Sequence, residues 1–327
     1  MRPRVAVVGC GALGSYYGAC LARAGQDVTF LLRSDFEVVS QRGVRVVDAY
    51  GVARFEAWPR AVNSAKAAGT MDLVIIGLKT TANGVLAETV LPMVGPRTFV
   101  LTLQNGLGNE EALAALVGGE RVLGGLCFVC LNRIEPGLIQ HIAHGRIVMG
   151  EFGRAALDRT RQIAALFENA GIPCTVTDHL ERAHWEKLVW NIPFNGLGVA
   201  SAAGLAALEQ GVIPHRTMWG PCLTTDRLLA DPAWLAWVRG LMQETLAAAR
   251  AQGLSIPDGA AEEQIRRTQE MGAYRASTLI DFERGQPLEL ESLFTEPLRR
   301  ARAAGVTVPR LEALHRVLRC LDPAQRG

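Results

Sequence analysis

The feature that most restricts the fold is the run Gly9-Cys10-Gly11-Ala12-Leu13-Gly14, which directly follows the β-branched run Arg4–Val8. A first glycine permits a tight turn, a second lets the backbone approach a pyrophosphate, and a third lets a helix pack closely on the strand. The small-residue stretch Ala12–Ala24 reads as the helix opened by this turn, with its first N–H groups facing a phosphate. A second strand, Asp27–Leu32, follows at the spacing such a unit needs. Together these pieces predict dinucleotide binding by Gly9, Cys10, Gly11, Ala12, Leu13 and Gly14.

The alternation continues. Asp72–Leu78 and Thr98–Leu103 read as strands, and Ala82–Leu91 and Asn109–Val117 as helices, which implies parallel strands joined by right-handed crossovers. Val44–Trp58 reads as an inserted hairpin, and Val122–Gly150 as three strand-like segments with a turn at Glu135-Pro136-Gly137. A helix near Leu157–Ala170 and a strand at Ile172–Thr177 complete this part, and from Leu180 onwards the patterns are helical. The expected architecture is an α/β Rossmann-type N-terminal domain, residues 1–178, followed by an all-α C-terminal domain, residues 179–327. The first is expected to bind the dinucleotide and the second to carry substrate and catalytic groups.

Composition narrows the function classes. With 49% hydrophobic and 20% charged residues, the 327-residue chain is neither disordered nor fibrous. Its 34 Lys+Arg against 32 Asp+Glu give a net charge of +2, which offers no basic field for nucleic acid. No apolar run approaches the ~20 residues that span a bilayer. Seven cysteines, an odd number, argue against a disulfide framework and for a reducing cytoplasm. Cys127-x-x-Cys130 has metal-like spacing but sits in an apolar strand without a second pair, so no metal is expected. His141-x-x-His144 reads as a surface pair across a hairpin turn.

Strand ends carry the next candidates, because ligands of open α/β sheets bind beyond the carboxyl ends of the strands. The second strand ends in Arg33-Ser34, where a guanidinium suits the 2′-phosphate of NADP and a carboxylate would repel it. The alternative is a solvated Arg33, with Asp35 taking the ribose. Lys79 and Gln104-Asn105-Gly106 end two further strands and are expected on the nicotinamide and substrate side. In the helical half, Lys187, Asn191 and Asn195 recur every four residues, and at a drift of ~40° per step they share one helix face. Such a stripe on a buried helix either bonds to neighbouring helices or lines a polar cavity. Spacing alone leaves both open.

Over essentially its whole length the chain resembles the ketopantoate reductases (2-dehydropantoate 2-reductases). The matching pieces are Gly9–Gly14, Arg33, Lys79, Gln104-Asn105-Gly106, the Lys187-x-x-x-Asn191-x-x-x-Asn195 stripe, and a late block from Ser277 to Glu291. In that family a serine opens the block and a glutamate follows twelve residues later, here Ser277 and Glu289. The resemblance implies NADPH-dependent reduction of a small 2-oxo acid, 2-dehydropantoate first. It implies Lys187 as general acid, with Glu289 orienting it and bonding the substrate's hydroxyl end. Asn105, Asn191, Asn195 and Ser277 would hold the substrate, with Lys79 and Asn105 near the cofactor. A different 2-oxo acid on the same scaffold, or a non-catalytic NADP-binding sensor, are the competing readings. A homodimer is left open. Pro193 inside the stripe helix predicts a kink that displaces Asn195. Ser201–Cys222, with Pro214 and Pro221, reads as a peripheral insertion.

Overall fold

A computed structural model describes residues 2–213 and 219–325. Among these, ten strands form one mixed sheet. They are β1 (Arg4–Val8), β2 (Asp27–Leu31), β3 (Val44–Val47), β4 (Ala53–Ala57), β5 (Arg60–Val62), β6 (Leu73–Ile76), β7 (Phe99–Thr102), β8 (Val122–Glu135), β9 (Leu138–Glu151) and β10 (Cys174–Val176). Their order is β4-β3-β9-β8-β7-β6-β1-β2-β5, with β10 parallel to β9. From β7 to β5 all pairings are parallel. The chain leaves β1 towards β2 on one side and returns as β6 on the other, so β1 and β6 flank the point where strand order reverses.

Period-2 alternation explains how these strands hold two layers. Val5 and Val7 face one core with Phe30, Leu101, Leu123 and Ile147. Ala6 and Val8 face the opposite core with Val74, Ile76, Met93 and Val100. The first layer is covered by α1 (Ala12–Arg23), whose Tyr17 and Leu21 join that core. Further helices of this unit are α2 (Phe36–Arg42), α3 (Ala65–Ala68), α4 (Leu86–Val90), α5 (Asn109–Val117) and α6 (Asp158–Asn169). The stretch expected as one helix over Ala82–Leu91 is instead a 3₁₀ turn, Thr80–Val85, followed by α4.

The three segments expected over Val122–Gly150 are one long hairpin, β8 against β9, turning at Pro136-Gly137. Irregular register near Phe128, Cys130 and Arg133 breaks the alternation that marks a long strand in sequence. The same irregularity corrects the reading of His141, which lies on β9, is buried, and packs its ring 4.6 Å from that of Tyr16. Its Nε2–H donates to the His144 carbonyl at 2.7 Å, and Nδ1 accepts from Arg54 at 2.6 Å.

The chain divides into two compact units, Met1–Glu181 and Arg182–Gly327. The second is helical throughout its described part, from α7 (Leu180–Ala200) through α8 (Leu205–Gln210), α9 (Thr225–Ala230), α10 (Pro232–Ala251), α11 (Ala260–Gln269), α12 (Ser277–Glu283) and α13 (Glu296–Ala303) to α14 (Pro309–Leu321). A π-helical turn, Glu291–Thr295, leads into α13. From Asn191 to Ala200 every residue of α7 is buried, the mark of a helix surrounded on all sides. It runs through Pro193 without a break. The described part of Ser201–Cys222 is peripheral only in part: Glu209, Gln210, Val212 and Trp219–Pro221 are exposed, but its first half packs inward. Ser201, Ala202 and Ala203 are buried, and Ala207 and Leu208 of α8 are fully enclosed where that helix meets α14. Pro214 lies outside the described residues. Among the described residues no helix is long and apolar enough to cross a membrane.

Candidate functional site

The glycine turn is built by exclusion of Cβ atoms. Gly9 holds φ +91°, and a Cβ there would stand 2.3 Å from the Leu78 nitrogen, in the chain that leaves β6. A Cβ on Gly14 would meet the Gly9 carbonyl oxygen at 2.2 Å, and one on Gly77 would lie 2.9 Å from the Gly14 Cα. Gly9, Gly14 and Gly77 therefore close a three-way backbone contact. Gly77 escaped sequence reasoning, its only signal being a glycine at the end of an apolar run. At Gly11, by contrast, a Cβ would enter open space. Gly11 also caps α1, whose first turn has no acidic residue and no side-chain cap, so the positive end of the helix dipole is left uncancelled. A turn closed beneath and open above fits a dinucleotide pyrophosphate. Cys10 lies under it, its thiol directed to the carbonyls of Val7 and Leu31 at 3.6 and 3.7 Å. Burial first, and the Asp35 carboxylate second, push that thiol well above its usual pKa.

At the end of β2, Arg33 and Ser34 are exposed and Asp35 is buried. Asp35 accepts from Ser34 Oγ at 2.8 Å and from both Nε and Nη2 of Arg133, on β8. Its oxygens are committed within the protein.

The ends of β6 and β7 are tied together by side-chain amides. Gln104 Oε1 accepts from Thr102 Oγ1 at 3.0 Å, and its Nε2 donates to Asn83 Oδ1 at 2.7 Å. Asn83 Nδ2 donates to Asn109 Oδ1 at 3.2 Å, and Asn109 Nδ2 donates to the Asn105 carbonyl at 3.0 Å. Lys79 is the exposed residue preceding the 3₁₀ turn that carries Asn83. The relay thus fixes the Asn105 loop against the segment that begins at Lys79. Neither Asn83 nor Asn109 stood out in the sequence.

In the helical unit, α7 carries Lys187, Asn191 and Asn195 on one face, with Lys187 partly exposed and both asparagines buried. His184, one turn earlier, is buried as well. Asn195 Oδ1 accepts from Ser277 Oγ at 3.2 Å and from the Thr278 N–H at 3.1 Å, which satisfies an N–H at the start of α12. The structure therefore brings together Asn195 and Ser277, 82 residues apart in sequence. Beside the stripe, Trp190 stacks at 5.1 Å on Phe194, and its Nε1–H donates to Thr268 Oγ1 at 2.9 Å. Glu289 is buried between α12 and the π turn, and the preceding Leu288 N–H donates to Asp322 Oδ1 at 3.1 Å. Asp322 is a support for the Glu289 segment that the sequence did not disclose.

The sheet order and the glycine turn at its switch point define a class: a Rossmann-type oxidoreductase working with a dinucleotide. Residues 5–154 match the profile described as ketopantoate reductase PanE/ApbA, and residues 217–322 match the C-terminal profile of the same family. A 2-dehydropantoate 2-reductase of Nostoc sp. is 37% identical over 99% of this chain and 96% of its own. The crystal structure of 2-dehydropantoate 2-reductase from Geobacter metallireducens superposes with a TM-score of 0.86 at 44% identity, over 97% of this chain and 99% of that one. D-mandelate dehydrogenase, solved with NADH and anilino(oxo)acetate, shares the fold at 17% identity with a TM-score of 0.82, over 99% of each chain. The chain belongs to the ketopantoate reductase family and is an NADP-dependent oxidoreductase. Helix α7 lies between the two profile matches and within the full-length ones.

Proposed function

We propose that the protein reduces 2-dehydropantoate to pantoate with NADPH, with Lys187 as general acid. The observation that carries this reading is the stripe on α7, where Asn195 is held by Ser277 and Lys187 stands two turns earlier on the same face. Residues 1–178 serve as the dinucleotide-binding part and residues 179–327 as the substrate and catalytic part. The glycine turn from Gly9 to Gly14 holds the pyrophosphate on the α1 N-terminus, and Arg33 takes the 2′-phosphate. Lys79 and Asn105 stand on the nicotinamide side, at strand ends fixed by the amide relay. Bound NADPH supplies the hydride that converts the ketone carbon to an alcohol.

The chain's own residues manage charge and protons. As negative charge gathers on the carbonyl oxygen, the Lys187 ammonium donates its proton there, so that no free alkoxide forms. Asn191, Asn195 and Ser277 orient the carboxylate and carbonyl. Glu289 accepts from the Lys187 ammonium and from the substrate hydroxyl. A carboxylate beside an anionic substrate is favourable only with such donors. Among the described residues all seven cysteines are free thiols, which suits a reducing compartment such as the cytoplasm.

Following nicotinamide absorbance while the protein meets NADPH and a panel of 2-oxo acids tests this. The expected result is highest kcat/KM for 2-dehydropantoate. Its deoxy analogue, 2-oxo-3,3-dimethylbutanoate, should be poorer by roughly 10²-fold, because a buried hydroxyl partner is left unpaired. Equal kcat/KM for the two ketones refutes hydroxyl recognition.

A further inference from the structure

A buried carboxylate two residues beyond Arg33 is an unexpected neighbour for a 2′-phosphate. An acidic side chain after the second strand of this fold ordinarily accepts from the ribose 2′-hydroxyl and disfavours the phosphate. Here Asp35 is 6% exposed, and its oxygens accept from Ser34 Oγ and from two nitrogens of Arg133. The pair is a fork, Nε to Oδ2 at 3.0 Å and Nη2 to Oδ1 at 2.5 Å, the geometry in which guanidinium and carboxylate bind most strongly. Arg133 lies 98 residues further along the chain, near the tip of β8. It is carried there by the long hairpin with β9, whose turn packs against α2 at Val38 and Val39 and is bonded to β3 by the Arg45 N–H on the Gly137 carbonyl.

We propose that Arg133 determines the preference for NADPH over NADH by acting through Asp35. With the fork closed, Arg133 offsets the Asp35 charge and both carboxylate oxygens already accept from it, and Arg33 is the charge presented at the strand end. With the fork open, the same carboxylate would face a 2′-phosphate with repulsion and a 2′-hydroxyl with an acceptor. Arg33 attracts the phosphate, and Arg133 removes the group that would reject it. Arg133 is thus a positioning residue for cofactor choice, and the inference rests on the NADPH reading above.

Dissociation constants for NADPH and NADH, measured by nicotinamide fluorescence on the full chain, test it in a double-mutant cycle. Arg133→Gln should weaken NADPH binding roughly tenfold or more while NADH binding holds or improves, so the ratio narrows by at least that factor. Asp35→Asn alone should keep or widen the preference. Adding Asp35→Asn to Arg133→Gln should return the ratio to within about threefold of the unaltered protein, because no carboxylate is left to reject the phosphate. A ratio unchanged in folded Arg133→Gln overturns the proposal. So does a double variant as impaired as Arg133→Gln, since Arg133 would then contact the cofactor directly. Should Arg133→Gln fail to fold with Asp35 uncompensated, the double variant is compared with Asp35→Asn alone. Equal ratios support action through Asp35, and a lower ratio in the double variant overturns it. Equal affinity of the unaltered protein for both cofactors would instead overturn the NADPH reading itself.

Discussion

The glycine turn of the sheet-bearing unit and the polar stripe of the helical unit are held still by opposite means. In the first, the glycine turn owes its position to the backbone, three glycines packing so closely that no Cβ fits, and side-chain amides serve only to pin the two strand ends beside it. In the second, position is a property of side chains reaching across helices, as Asn195 does to α12 and Asp322 does to the segment before Glu289. Partners there lie 83 and 34 residues apart, and no strand register sets them. A backbone-built site fails when bulk is added. A side-chain-built site fails when a single functional atom is taken away.

Substitutions at Lys187 break the comparison most sharply. Lys187→Ala should lower kcat by about 10²–10⁴, the usual worth of a positioned proton donor, while NADPH affinity is kept. Steady-state kinetics with a separate cofactor titration check this, and near-normal turnover would move the general acid elsewhere, with His184 next. The converse is expected in the sheet unit, where Gly14→Ala drives a methyl against the Gly9 carbonyl. That variant should lose about 1–3 kcal/mol of stability and bind NADPH more weakly, as thermal melts with and without cofactor would reveal. Unchanged melts would mean that the turn yields more readily than its contacts imply.

A smaller effect sharpens the side-chain half. Asp322→Ala leaves the buried Leu288 N–H without its acceptor, at a cost of about 1–3 kcal/mol, and loosens Glu289. Its kcat should fall more than its KM rises, whereas Asp322→Asn, which keeps an acceptor oxygen, should recover most of the loss. Equal damage from both variants would assign Asp322 to charge and not to positioning.

The smallest expected effect is common to both units. Burial lowers the pKa of His141 on β9 and of His315 on α14 below the ordinary 6.5. Below pH 6.5 the unfolded chain takes up protons that these folded sites refuse, so the unfolded state binds more protons and stability declines as pH falls from there towards the folded values. Melting temperature should therefore drop between about pH 7 and 5.5, and less steeply in His141→Gln/His315→Gln. An unaltered slope would place the acid sensitivity on other groups.

The same contrast governs what the sequence disclosed. Strand, glycine turn and helix were legible because each requires particular residues within a short window: Val5–Val8, Gly9, Gly11 and Gly14. The Lys187–Asn191–Asn195 face was legible from helical periodicity, but its partners were supplied only by family resemblance. Gly77, Asn83, Arg133 and Asp322 were missed because each acts through tertiary contacts with a segment distant in sequence. His141 was misread because a bulged strand hides its alternation, and α1 covers a position that local pattern leaves bare. Ser201–Ala203 and α8 were misread because small residues such as alanine and glycine mark close helix packing as readily as loops.

The π turn at Glu291–Thr295 gives the start of α13 an unusual tolerance of its own length. Its i→i+5 bonds wind one residue more into a turn than the i→i+4 bonds of an α-helix. Deleting one codon within those five would let an ordinary turn form and leave Glu289, immediately upstream, at nearly the same angle about the axis. A deletion inside α13 itself has no such slack and would swing everything before it by about 100°. The five residues therefore act as a buffer: a residue lost there is absorbed, and the same loss a turn later is passed on to Glu289.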